Sequence, residues 1–187
     1  MKISKDLFLV LPVQTEQGES YVHAKAISRE TFNRYYAVMG QAFSKIYKDG
    51  LDYTVGPRLA ALYIRSAAER LGVLEDVEKG LLGEITRLAN VAVCGENGWE
   101  MVPLSEAKRN GALDEDELDE VENALAFFTL AYSIHKRNER EAILSGGMSL
   151  WGGRLTSSDY TAFLASLPTS TATDNSGAKA PASSVPC

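Results

Sequence analysis

The run Asp114-Glu115-Asp116-Glu117-Leu118-Asp119-Glu120-Val121-Glu122-Asn123-Ala124-Leu125-Ala126-Phe127-Phe128-Thr129-Leu130-Ala131-Tyr132-Ser133-Ile134 carries more architectural information than any other part of this chain. Asp114 and Glu117 stand at capping-box spacing, with Asp in place of Ser or Thr. Seven acidic residues lie between Asp114 and Glu122, and Lys136, Arg137 and Arg140 follow near the far end. That polarity suits the helix macrodipole. Leu118, Val121, Leu125, Phe128 and Tyr132 form one apolar seam, and Phe127, Leu130 and Ile134 form a second. A helix apolar on two sides belongs in the middle of a domain, or also meets another subunit.

Upstream, Ser28 can cap a helix, with Ile27 and Phe32 placed as a hydrophobic staple. Phe32, Tyr35, Tyr36, Met39, Phe43, Ile46 and Tyr47 recur at helical spacing, and Gly50 stands where a left-handed C-cap residue belongs. Such a stripe forms core or subunit interface, or lines a ligand groove. Gly56-Pro57 opens a second helix, stopped at Gly72, whose Ala60, Tyr63, Ile64, Ala67, Ala68 and Leu71 form a face rich in small residues. A third is expected over residues 76–92, burying Val77, Leu81, Ile85, Leu88 and Ala89. Gly80 and Gly83 weaken it by up to about 1 kcal/mol each, which close packing against the small-residue face would explain. Ser105 caps a short helical turn ending near Gly111.

Two β-prone runs, residues 7–11 and 20–24, flank the turn residues Thr15-Glu16-Gln17-Gly18 and predict a hairpin. A lone hairpin is marginal, so it must pack on the helices or pair with another chain, its outer edge being available as a docking strand. Residues 91–94 and 99–102 around Gly95-Glu96-Asn97-Gly98 read as a small second β element. Residues 145–153 read as a glycine-rich loop and hinge. A last helix, from about Ser158 to Leu167, ends at Pro168.

The expected fold is therefore mainly α (α+β): a helical domain over residues 1–167 with an N-terminal β-hairpin, a small β element near Trp99 and a disordered tail over 168–187. In that tail Val185 is the only large aliphatic residue and three prolines interrupt any ladder. It cannot bury enough apolar surface to offset the entropy of ordering it.

The net charge of −6 argues against broad binding to a nucleic-acid backbone, which requires a surplus of Lys and Arg. Cys94 and Cys187 are the only cysteines, too few for a disulfide framework, which fits a reducing cytoplasm. The early apolar run from Leu7 to Val13 is broken by Pro12 and is followed by nothing like a cleavage site, so no signal peptide or membrane span is expected.

No catalytic kit is evident. The acidic run from Asp114 lacks the alternating ligands and central glycine of a calcium loop and reads as a solvated helix start. His23 and His135 have no partner motif, and a zinc site built from them with Cys94 lacks ligand spacing. Cys94 reads as a structural thiol rather than a nucleophile paired with His135. The glycines of 146–153 have neither P-loop nor dinucleotide spacing. The expectation is a protein that is not an enzyme and needs no metal or cofactor.

The last helix places Tyr160, Phe163, Leu164 and Leu167 on one side, between a glycine-rich hinge and the tail. It is expected either to swing out and dock a partner helix or groove through these four residues, or to cap the chain's own core with them.

Several strings together resemble a family of tailed-bacteriophage proteins, the tail assembly chaperones. They are Ile27-Ser28-Arg29-Glu30-Thr31-Phe32, Gly56-Pro57-Arg58, Gly80-Leu81-Leu82-Gly83-Glu84-Ile85, Gly98-Trp99-Glu100, Glu120-Val121-Glu122-Asn123-Ala124 with Phe127-Phe128, and Ser166-Leu167-Pro168-Thr169-Ser170-Thr171. The resemblance runs over nearly the whole chain but carries no binding-site signature. It implies a protein of the infected host's cytoplasm that binds the helical tape-measure protein, helps recruit tail-tube protein and is not retained in the virion. It also implies that a longer, frameshifted form can exist. A homo-oligomer is compatible with the sequence. A virion structural component, such as a tail-completion or head-tail connector subunit, is the alternative, and a small enzyme stands third.

Overall fold

A computed structural model describes residues 7–15, 18–48, 55–95 and 98–168. Gly50, most of the tail and Cys187 lie outside the described residues. The chain runs through strand β1 (Phe8–Thr15), β2 (Gly18–Lys25) and helix α1 (Arg29–Lys48), then a 3-10 turn (Pro57–Leu59) leading into α2 (Ala60–Arg70). Next comes α3, residues 74–87, which is α-helical over Leu74–Asp76, π-helical over Val77–Leu82 and α-helical again over Gly83–Arg87. It is followed by β3 (Ala89–Gly95), β4 (Gly98–Pro103), α4 (Leu104–Arg109), α5 (Glu115–Ile134) and α6 (Arg137–Met148). A 3-10 turn (Ser149–Trp151), β5 (Arg154–Thr156) and α7 (Tyr160–Leu164) complete it.

The expectation of a mainly helical domain with two minor β elements is corrected. The hairpins β1–β2 and β3–β4 join through β2 and β3, where Tyr21 pairs with Ala92 and Ala24 with Ala89. With β5 antiparallel to β1, they form one five-stranded sheet in the order β4-β3-β2-β1-β5. The chain is thus α+β, with a complete sheet layer. Helix α3 also stops at Arg87 instead of residue 92, because Ala89, Val91 and Val93 are drawn into that sheet. Pro12, which lacks an N–H, lies beyond the reach of β5 along β1, where the strand is unpaired on that side.

Alternation along the strands separates two faces. Leu9, Leu11, Val22, Ala24 and Val91 belong to the main core with α1, α2 and α5. Val10 and Ala92 face the other way and meet Phe163 and Leu167. Helix α5 passes through the centre, and every residue from Asn123 to Ala131 is buried. Its capping box is present: Glu117 N–H donates to the Asp114 carboxylate at 2.8 Å and Asp114 N–H to the Glu117 carboxylate at 2.7 Å. The helix ends at Ile134, so Lys136, Arg137 and Arg140 lie beyond it, at the entry to α6. Arg65 of α2 ties the helical layer together by reaching Glu78 at 2.7 Å and Glu122 at 2.6 Å.

The glycine-rich segment 145–153 is not the expected loop. Its first part is the end of α6, and only Gly152, at φ +66°, makes the left-handed exit. Position 147 in this helix is a glycine whose missing side chain leaves room for the Phe127 ring.

Candidate functional site

Helix α1 divides its aromatic stripe between two faces. Tyr35, Val38, Met39, Ala42 and Ile46 are buried against the rest of the helical layer. On the other side Phe32 and Phe43 are half-buried, and Tyr36 is 65% exposed. With Arg29, Asn33, Gly40, Ser44 and Ile134, these residues line an apolar groove of about 540 Å³. Phe43 also meets the ring of His135 edge-on, with centroids 5.4 Å apart. Gly40 contributes openness, since a Cβ there would touch nothing within 4 Å. Aromatic side chains contiguous on a surface mark an interaction site better than scattered exposed residues do.

The groove continues at its Arg29–Phe32 end into a second cleft of about 470 Å³. Lys25, Arg29, Arg87 and Arg140 line this cleft, and Glu84 is the one acidic group in its lining among the described residues. Glu84 is held below its usual carboxylate range by two hydrogen bonds from Arg87, each 2.7 Å. Arg29 reaches the Ser133 carbonyl at 3.5 Å and lies over the Phe32 ring, 4.6 Å from its centre. Arg140 donates to the His135 carbonyl at 3.1 Å and lies over Tyr132 at 4.2 Å. Both guanidinium groups therefore attend the carbonyl end of α5, where cations are favoured.

The predicted docking residues take different positions. Phe163 and Leu167 are buried on the chain's own sheet, Leu164 packs partly beside them, and Tyr160 is 53% exposed. Asp159 caps the helix by accepting from Ala162 N–H at 2.9 Å. Trp99 Nε1–H donates to the Pro168 carbonyl at 3.0 Å. Docking through all four residues would require α7 to leave the sheet.

His23 belongs to this outer layer. It is buried between the rings of Phe8 and Phe163, at 5.1 and 5.5 Å, and its Nε2–H donates to the Ser158 carbonyl at 3.0 Å. Burial pushes its pKa below 6.5. Because the folded value is the depressed one, the unfolded chain binds the proton first. His23's contribution is full above pH 6.5 and falls as pH drops below it, with a slope of at most about 1.4 kcal/mol per pH unit. Urea unfolding between pH 7.5 and 5.5 should show this loss, and His23→Gln should reduce it. An unchanged pH profile in the variant contradicts the assignment.

The other chemical candidates are not brought together. Asp114 and Glu117 serve the cap, and among the described residues no group of three or more His, Cys, Asp or Glu could hold a metal ion. His135 lies against Phe43, whereas Cys94 pairs with Trp99 across the β3–β4 hairpin. Sequence reasoning missed Arg29 and Arg140 as site residues, because their juxtaposition comes from the end of α5 and has no spacing signal. No helix among the described residues is long and apolar enough to cross a membrane.

The chain is an α+β protein whose sheet carries the main helical layer on one face and α7 on the other, with an aromatic-lined groove along α1. No protein-family model, curated protein or solved structure matches the chain.

Proposed function

We propose that this protein is a tail assembly chaperone of a tailed bacteriophage, acting in the host cytoplasm on the tape-measure protein and promoting recruitment of tail-tube protein. The observation that carries the reading is the groove of Phe32, Tyr36, Phe43 and Ile134, left without a covering element among the described residues. An apolar groove beside a helix is the receptor half of helix-in-groove recognition, in which a partner helix inserts side chains at i, i+3, i+4 and i+7. A long helical protein awaiting its tube exposes such ridges. Covering them in turn would keep it from associating with itself. The sequence strings that resemble the chaperone family supply the choice of partner, and the groove supplies a means of holding it.

Tyr36 gives the cleanest test because it is largely exposed and its loss should leave the fold intact. Tyr36→Ala should weaken binding to the tape-measure protein encoded in the same genome about tenfold, as aromatic anchors do. Titration calorimetry measures the affinity, and thermal unfolding of the variant checks its fold. Unchanged affinity removes the groove from the reading, and absence of binding by the unaltered protein removes the reading itself.

A further inference from the structure

We infer that the α1 groove and the adjoining cleft form one composite site for an amphipathic partner helix whose leading turn carries carboxylates. The inference deepens the docking role proposed above and rests on it. The two cavities share Arg29 and Phe32, so an occupant of the apolar groove runs directly into the cleft. From Phe32 to Phe43 the groove follows α1 for about 17 Å, or about three turns of helix. That length accepts an apolar ridge of about four residues.

Charge fixes the chemistry of the end. The chain as a whole carries −6, yet among the described residues the cleft brings Arg29 and Arg140 together with one carboxylate, Glu84, which is itself engaged by Arg87. Neither Arg29 nor Arg140 has a carboxylate partner among the described residues, and each is held by one carbonyl and one aromatic face. Guanidinium groups steadied in this way keep further N–H donors for a planar carboxylate. A concave, low-dielectric wall strengthens the attraction and raises the encounter rate. A free aliphatic ligand would not use these cations, and a helix with a basic leading turn would be repelled by them.

Two synthetic fifteen-residue helical peptides test this, with identical leucine ridges and three Glu or three Lys in the first turn. Fluorescence anisotropy should show the Glu peptide binding the full-length protein at least tenfold more tightly than the Lys peptide. The preference should shrink as salt rises from 50 to 500 mM, as ionic contacts are screened. Arg29→Glu with Arg140→Glu should reverse it. Should that variant unfold, the salt series and the two peptides on the unaltered protein still decide.

Equal affinity for the two peptides, or no binding by either at 1 mM, overturns the inference. So does tighter binding by a single-stranded oligonucleotide that displaces the Glu peptide, which would assign the cleft to nucleic acid. A concentration-dependent dimer in sedimentation that the Glu peptide dissociates and the Arg variant lacks would assign the site to a second copy, again overturning it. Binding of the Glu peptide by a protein that ignores the tape-measure protein would retain this site and reject only the partner proposed for it.

Discussion

Replacing Phe127 with alanine should lower the unfolding free energy by about 3–5 kcal/mol, the range for truncating a buried aromatic residue. Phe127 is 1% exposed at the centre of α5, its ring 6.0 Å from that of Trp151 and pressed against the backbone of Gly147 in α6. A Cβ on Gly147 would lie 2.9 Å from Phe127 Cζ, so Gly147→Ala alone should destabilise by about 1–3 kcal/mol through overpacking, less the helix propensity gained. The two changes act on the same space, and the double variant should cost less than the sum of the singles. Urea unfolding of the four proteins measures the cycle. Strict additivity would mean that the ring and the glycine are not coupled.

That coupling shows what single-segment patterns can and cannot convey. The two seams of α5 and its capping box were legible because both depend on residues three or four apart. Gly146-Gly147 reads as loop because the reason for a helical glycine, the Phe127 ring, lies in another element. Likewise Gly80 does not face the small residues of α2. Its neighbour is Tyr35 of α1, whose hydroxyl donates to the Asp76 carbonyl at 3.2 Å beside the π turn. The sheet was seen as two fragments because β2–β3 pairing joins segments far apart in the chain, and β5 has only three residues. For the candidate site, the aromatic residues of α1 were visible but their division was not. Tyr35 and Tyr36 sit about 100° apart on the helix, so a stripe containing both necessarily serves two faces.

Asn123→Ala should cost about 2–3 kcal/mol, for a reason that lies in α2 and not in α5. The 3-10 turn before α2 brings no side-chain cap, and the N–H of Ala61, in the first turn, has no partner within its own helix. Asn123 Oδ1 accepts that N–H at 3.1 Å, while its Nδ2 donates to the Asp119 carbonyl at 2.9 Å and carboxylate at 3.2 Å. Ala61 is wholly buried and Asn123 is 2% exposed, so water does not readily replace the lost acceptor. An unsatisfied buried donor costs about 1–3 kcal/mol, to which the lost packing adds. Leucine separates these contributions. It restores volume without an acceptor, so Asn123→Leu should remain destabilised by at least about 1 kcal/mol. Aspartate keeps an acceptor but brings another negative charge near Asp119 and Glu122, and should not rescue the helix either. Hydrogen exchange at Ala61 adds a local readout, with faster exchange expected in Asn123→Ala and Asn123→Leu, which lack an acceptor. Full stability of Asn123→Leu, with Ala61 still protected, would show that α2 needs no cap from α5.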